Sequence, residues 1–173
     1  MFEYVDFERD PHVIEVEKSR LILLDLIANK LEFNHISYNS LLDFSEIVKI
    51  PCKNVVAIFH NWREYYEFYD AEKKREIPYE ETPISEQYEG YVLEDSDGFM
   101  WKLKSNYYNF WKSMRWVLTQ CTKKGYIDKT SGLTTPLAND FYAFCKHYHD
   151  DQDNAPKDII TARKEFYKEK KNE

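Results

Sequence analysis

One glutamate and two lysines are the side chains whose spacing suggests a site, because a single β-hairpin would bring their charges together. Two runs rich in apolar and aromatic residues flank Asp-Ser-Asp-Gly at residues 95–98. In this turn sequence Asp tolerates turn dihedrals and Gly supplies a positive φ. A turn of two or four residues would place Glu89 opposite Lys104 and Tyr91 opposite Lys102, with all four side chains on one face.

The same register points Trp101 and Leu103 to the other face, toward a core. One carboxylate and two ammonium groups would then project together. By itself this pattern is also compatible with an exposed cross-strand ion pair worth less than about 1 kcal/mol. A three-residue loop would break the arrangement, because a shift of one residue moves every side chain to the opposite face.

The composition is that of a reduced, aromatic-rich globular chain. It has 173 residues, 17% of them aromatic, and a net charge of −7. No apolar run is long enough to span a membrane, and no signal peptide opens the chain. Three widely separated cysteines indicate reduced thiols and not a disulfide or zinc framework, which favours a cytoplasmic location. Residues 1–98 carry a net charge of −12 and residues 99–173 one of +5. Any contact with a polyanion would therefore involve the second half, but on the charges alone a solvated acidic surface with a basic tail is the preferred interpretation.

The periodicity of apolar residues predicts an α+β chain that is β-rich first and helical later. Residues 12–16 and 20–27 are predicted to pair as a second hairpin, and residues 21–24 to be covered on both faces. Residues 55–59 are predicted to be a strand or a buried linker. Helices are predicted at about 38–48 with Ser37 as N-cap, from Asn61 to 74, from 107 to near Gly125, from Thr134 or Thr135 onward, and from Pro156 onward.

Several short motifs, in this order and spacing, resemble those of the covalent nucleotidyltransferases, specifically the ATP-dependent phage RNA ligases that repair cleaved tRNA. Residues 2–5 (Phe-Glu-Tyr-Val) are similar to the third motif of that family, and residues 20–25 to the strand that follows it. Residues 89–92 (Glu-Gly-Tyr-Val) resemble the fourth motif, and residues 102–105 (Lys-Leu-Lys-Ser) the fifth. Each motif alone also occurs in unrelated proteins, so the resemblance depends on their combination.

The resemblance implies a partial nucleotidyltransferase antiparallel sheet with inserted helices in residues 1–112, followed by a small all-α unit in residues 113–173. It implies ATP or AMP and Mg²⁺ as cofactors, and RNA as partner, with tRNA as one candidate. Lys102 and Lys104 would be cations placed to stabilise charge on phosphate oxygens. Glu89 would orient the nucleophile or hold the metal. Glu3 would accept hydrogen bonds from ribose hydroxyls, and Leu21 would pack on the adenine.

The family's nucleophile is a lysine in a Lys-x-Asp/Asn-Gly motif that precedes the third motif, whereas here Met1 directly precedes the third motif. The sequence Lys-Thr-Ser-Gly at residues 129–132 follows the fifth motif and is interpreted as a loop. We therefore expect the C-terminal portion of a ligase that forms no lysyl-AMP alone. We also expect it to associate with an N-terminal ligase half or with itself, or to cover its open sheet edge with its own chain. The second hypothesis is a non-catalytic RNA- or protein-binding module derived from a ligase fold.

Two further groups of residues are given a structural interpretation. His147 and His149, with the acidic residues that follow them, are interpreted as a solvated helix end, because positions i and i+2 do not share a helix face. The basic segments at 123–124 and 164–171 are interpreted as solvated helix faces, although they are compatible with contact to an RNA backbone. The three cysteines are predicted to be core residues: Cys52, Cys121 and Cys145.

Overall fold

The computed structural model of the chain describes residues 1–6, 12–31, 35–127 and 133–172. The described residues form a mixed α+β fold with two separate two-stranded antiparallel sheets. The wider nucleotidyltransferase sheet stays a prediction. The Lys-Thr-Ser-Gly sequence at 129–132 lies outside the described residues. In chain order the elements are β1 (Phe2–Val5), β2 (Arg20–Leu23), α1 (Tyr38–Val48), α2 (Trp62–Lys74), β3 (Gly90–Glu94), β4 (Met100–Lys104), α3 (Asn106–Lys124), α4 (Pro136–Lys146) and α5 (Ile159–Lys170).

The chain divides into two compact units. The N-terminal unit comprises the described parts of Met1–Asp10 and Val16–Tyr65, and the C-terminal unit comprises those of Pro11–Glu15 and Tyr66–Glu173. The predicted boundary near residue 112 falls inside α3, whose apolar side is continuous from Tyr107 to Cys121. The hairpin and the C-terminal helices therefore share one compact unit, and the predicted domains, residues 1–112 and 113–173, stay a prediction.

In the N-terminal unit β2 pairs with β1, so the predicted hairpin between residues 12–16 and 20–27 is wrong. Tyr4 lies opposite Leu21, and Glu3 opposite Ile22. On its other side β2 exchanges hydrogen bonds with residues 51–53, from Leu23 N to the Pro51 carbonyl at 2.8 Å and from Lys53 N to the Leu23 carbonyl at 2.8 Å. The short sequence separation favoured the hairpin prediction, but Val13 and Glu15 form hydrogen bonds with Arg163 and Gln87 of the C-terminal unit.

Burial in this unit is lower than the sequence predicts. Of the run at 21–24 only Leu23 is fully buried, and Leu21 is exposed, so coverage on both faces is wrong for this strand. Residues 55–59 contain no strand, and Val55, Val56 and Ile58 are exposed. By contrast α1 and α2 have the predicted bounds, and the Ser37 side chain accepts a hydrogen bond from Ser40 N at 3.2 Å as the predicted N-cap.

The C-terminal unit has a large aromatic core formed mainly by α3, α4 and α5. Trp111 is its centre, with edge-to-face contacts to Phe141 at 5.4 Å and Tyr167 at 5.9 Å between ring centroids. Cys121 and Cys145 are buried in this core as predicted, whereas Cys52 of the N-terminal unit is only half-buried. The helix predicted from Pro156 begins at Ile159, because the Asp158 side chain caps it by accepting from Ile160 N and Thr161 N.

A fully buried arginine in α5 joins this core to two distant segments. Arg163 donates to the Val13 carbonyl at 3.0 Å and to Gln87 Oε1 at 2.9 Å, and its guanidinium lies 5.4 Å from the Trp111 ring. Glu15 N also donates to Gln87 Oε1, at 3.1 Å. Residues 12–15 are consequently held against the helical core, which explains why they form no strand with β2.

In the described residues, no helix has both the length and the apolar character needed to cross a membrane.

Candidate active site

The charged hairpin forms, but with a register one residue away from the predicted one. Asp95 N donates to the Phe99 carbonyl at 3.0 Å, and Gly98 N donates to the Asp95 carbonyl at 3.1 Å, which closes a three-residue loop. Asp95 Oδ1 also accepts from Asp97 N and Phe99 N, each at 2.9 Å. This side-chain capping favours the three-residue loop, because one carboxylate satisfies two backbone donors of the turn.

The observed register changes which residues share a face. Lys104 lies opposite Gly90, and Lys102 opposite Val92. Because opposed residues of an antiparallel pair share a face, the two lysines project on the exposed side. Tyr91 projects on the other side with Leu103, so its predicted place beside Lys102 is wrong.

Trp101 and Leu103 lie on the inward face of the hairpin, as predicted. Leu103 is buried and Trp101 half-buried, and both share a face with the buried Leu93. Tyr91 packs edge-on against Phe68 of α2 at 5.2 Å between ring centroids. This face holds the hairpin, and the opposite face presents Lys102 and Lys104.

Glu89 and Lys104 pair in spite of the changed register. Lys104 Nζ donates to Glu89 Oε1, and both side chains are about one-third exposed. Gly90, between Glu89 and the rest of β3, has φ of +144°. A side chain there would bring its Cβ to 2.1 Å from the Leu103 carbonyl oxygen. This backbone conformation interrupts the alternation of the strand, which lets Glu89 reach the lysine of the facing strand.

The ammonium group of Lys104 also contacts the first turn of α3. Its Nζ lies 5.0 Å from the centroid of the Tyr108 ring, and Lys112 Nζ lies 5.6 Å from the same centroid. Ser105 is the N-cap of α3, with its Oγ accepting from Tyr108 N at 3.0 Å. The sequence prediction missed Lys112, whose signal was its position four residues after Tyr108 on a predicted helix.

The base of the hairpin is held by polar side chains of neighbouring elements. The Tyr88 hydroxyl donates to Glu72 Oε2 at 2.5 Å, and Ser105 Oγ donates to the Tyr88 carbonyl at 2.7 Å. Burial, with the hydrogen bond to Glu72, raises the pKa of Tyr88 well above its usual range. Burial is likewise the main reason that the pKa of Tyr91 is raised. Both phenols are therefore neutral, and the Tyr88 hydroxyl ties the base of the hairpin to Glu72 of α2.

The two predicted nucleotide contacts of the N-terminal unit lie on adjacent strands. Glu3 is exposed on β1, and Leu21 is exposed on β2. Their register places Leu21 opposite Tyr4, so Glu3 and Leu21 project from opposite faces of this two-stranded sheet.

The hairpin alone does not make a metal centre. Within the ranges that the structure describes, no three His, Cys, Asp or Glu side chains are grouped so that they could hold a metal ion. The Glu89 carboxylate already forms an ion pair with the ammonium group of Lys104. A single carboxylate suits only a Mg²⁺ ion whose remaining ligands are water and substrate phosphates.

A family model described as RNA ligase, of the T4 type, matches residues 1–108. The matched region contains the β1–β2 sheet and the entire β3–β4 hairpin, including all five residues predicted for the site: Glu3, Leu21, Glu89, Lys102 and Lys104. No significant match was found among curated proteins or among solved structures. Because the matched region is well over half of the chain and holds the charged hairpin, this protein belongs to the T4-type RNA ligase family.

Proposed function

We propose that this chain is the C-terminal portion of an ATP-dependent RNA ligase and supplies the hairpin that binds phosphate. The observation that carries the proposal is the exposed face of β3–β4, where Lys102 and the ion-paired Lys104 project together inside the region matched by the family. Lys102 forms no hydrogen bond or ion pair with the described residues, so its ammonium group is available to a ligand.

The proposed reaction proceeds by three displacements at phosphorus. A lysine attacks the α-phosphate of ATP and pyrophosphate leaves; an RNA 5′-phosphate then accepts AMP from that lysine; a 3′-hydroxyl finally displaces AMP and forms the phosphodiester bond. Each displacement builds negative charge on phosphate oxygens. Lys102 and Lys104 stabilise that charge, because ammonium groups placed in advance need no reorganisation during the reaction.

The remaining site residues have supporting roles in this proposal. Glu89 holds Lys104 in position through their ion pair and, with ATP and Mg²⁺ bound, is the carboxylate that the hairpin offers to the metal. Glu3 accepts from ribose hydroxyls. Leu21 projects from the opposite face of the β1–β2 sheet, so its contact with the adenine of the same nucleotide stays a prediction. The attacking lysine comes from a separate segment, an N-terminal ligase half, and the substrate is a cleaved RNA such as a tRNA in the cytoplasm.

The test is transfer of labelled AMP to protein. The chain is incubated with α-labelled ATP and magnesium, alone and with a ligase N-terminal half that carries the Lys-x-Asp-Gly motif, and covalent label is detected on a denaturing gel. We expect label on the N-terminal half only when this chain is present, and a loss of at least about tenfold with Lys104→Ala. Lys123→Ala, an exposed lysine near the end of α3, is the matched control and should label normally.

Two results would contradict the proposal. Label on this chain in the absence of the N-terminal half would show that the nucleophile is within it. No label in the reconstituted mixture would reject the split ligase.

A second candidate function is a binding module without catalysis, and one observation favours it. The N-terminal unit exposes a run of apolar residues that includes Val56 at 64%, Ile58 at 74% and Trp62 at 76%. Exposed apolar side chains grouped in sequence are typical of protein interaction sites. In this case the chain would bind RNA or a partner protein, and the reconstituted mixture would remain unlabelled.

A further inference from the structure

A third lysine, Lys112, lies next to the hairpin and has no role in the proposed phosphate-binding face. Lys112 is exposed on α3, one helical turn beyond Tyr108. Its Nζ and that of Lys104 both lie close to the Tyr108 ring, at 5.6 Å and 5.0 Å from the centroid. The two ammonium groups can therefore be no farther apart than the sum of these distances, about 11 Å.

The aromatic ring fixes the position of these charges. Tyr108 is buried, so its ring cannot stack on a base, but its π face attracts both ammonium groups. The ring of the exposed His12 stacks on the same tyrosine at 6.3 Å with an interplanar angle of 23°. Three nitrogen-bearing side chains from a loop, a strand and a helix are thus assembled around one rigid support.

One of the two lysines in this cluster has no carboxylate partner among the described residues. Glu89 is the partner of Lys104, while Lys112 forms no ion pair with the described residues. This surplus of positive charge occurs in a chain whose net charge is −7. Lys112 therefore adds a positive charge without a carboxylate partner beside the ion-paired Lys104, an arrangement that suits a ligand with several negative charges.

We propose that Lys112, with Lys104, Tyr108 and His12, forms a subsite for the phosphodiester backbone of a single-stranded RNA next to the proposed phosphate-binding face. Lys104 belongs to both sites, and Lys112 extends the contact from the hairpin to the second turn of α3. This inference rests on the proposed function, because that function supplies RNA as the polyanion. It assigns to Lys112 the positioning of the RNA strand and no part in the displacements at phosphorus.

The experiment measures binding of a fluorescently labelled single-stranded oligoribonucleotide by anisotropy, over a range of salt concentrations and without ATP. Lys112→Ala should weaken binding at low salt by about threefold or more, and should lower the slope of log K against log salt by about 0.7, the value for one lost phosphate contact on a single strand. Lys112→Arg keeps the charge and should retain most of the affinity. Lys123→Ala removes the same charge from the far end of the same helix and should leave the slope unchanged.

Two results would overturn the subsite. One is unchanged affinity and slope for Lys112→Ala; the other is an equal loss for Lys112→Ala and Lys123→Ala, which would mean that only overall charge matters. Because Lys112 is exposed, its substitution should leave the circular dichroism spectrum unchanged, which separates a binding effect from unfolding. Binding is measured without AMP transfer, so an unlabelled reconstituted ligase with a normal Lys112 effect would reject the ligase proposal and keep the subsite.

Discussion

The two compact units bury apolar side chains to very different extents. In the described part of the N-terminal unit, Leu23 and Leu41 are the only fully buried hydrophobic residues, whereas the C-terminal unit buries an aromatic cluster around Trp111. Burial of apolar surface is the main favourable term in folding. The C-terminal unit therefore has a core of its own, and the N-terminal unit depends more on hydrogen-bonded strands and capped helices.

The largest expected difference is between two tryptophans. Trp111→Ala removes a fully buried indole and should lower the free energy of unfolding by about 3–5 kcal/mol. Trp62→Ala removes an exposed one and should change it by less than about 0.5 kcal/mol. Urea denaturation followed by circular dichroism measures both. Equal effects would mean that the exposed surface around Trp62 is buried in solution and that the contrast between the units is smaller than described.

Arg163 tests how far the C-terminal core depends on its distant segments. Arg163→Ala should cost about 3 kcal/mol, because Glu15 and Gln87 then lose a buried donor. Its neighbour Lys164 also pairs with Glu15, at 2.5 Å, but is nearly half exposed, so Lys164→Ala should cost less than about 1 kcal/mol. The same urea titration applies. A loss for Arg163→Ala no larger than for Lys164→Ala would show that residues 12–15 add little to the core.

Substitution of Gly90 tests how strongly the stability of the hairpin depends on its backbone conformation. Gly90→Ala introduces a Cβ against the Leu103 carbonyl at a positive φ and should cost about 2 kcal/mol. Val92→Ala, two residues further on the exposed face, should cost less than about 1 kcal/mol. Thermal unfolding of the two variants gives the comparison. If both are equally stable, the backbone at Gly90 relaxes and the Glu89–Lys104 pair is not held by it.

The three thiols provide the smallest and most local comparison. Burial raises the pKa of Cys121 to about 11 and that of Cys145 further, so at pH 8 both are protonated as well as inaccessible. Cys52 of the N-terminal unit is half-buried and should react with iodoacetamide at least about tenfold faster than either. Mass spectrometry of peptides after timed alkylation measures the rates. Similar rates for the three thiols in the folded chain would contradict the tight core, and similar rates in denaturant are expected.

Elements determined by short-range signals were predictable from the sequence. The bounds of α1 and α2, the capping serine Ser37 and the end of α3 at Gly125 all follow from caps and apolar periodicity within a few residues. The pairing of β2 with β1 was not predictable in this way, because tertiary contacts and not short sequence separation determine it. The docking of residues 12–15 depends on Arg163, and nothing near Val13 in sequence signals it.

The sequence predicted that Glu89, Lys102 and Lys104 lie on one hairpin, but it gave the wrong strand register. The turn sequence indicated a hairpin, and the pairing of Glu89 with Lys104 was expected. The loop length was wrong because the Asp95 side chain caps two backbone donors, which period-two alternation cannot reveal. The pair survived the shift because of the unusual φ of Gly90. The contact of Lys112 with the Tyr108 ring was missed, although the spacing of four residues on a predicted helix signalled it.

The contact between Arg163 and Val13 joins residues 150 positions apart. During synthesis at about 5–20 residues per second, Val13 is made roughly 8 to 30 seconds before Arg163. The C-terminal unit therefore cannot complete its core until Arg163 has been made. Until then the Val13 carbonyl lacks its guanidinium donor, so residues 12–15 reach their final position only after α5 has been synthesised.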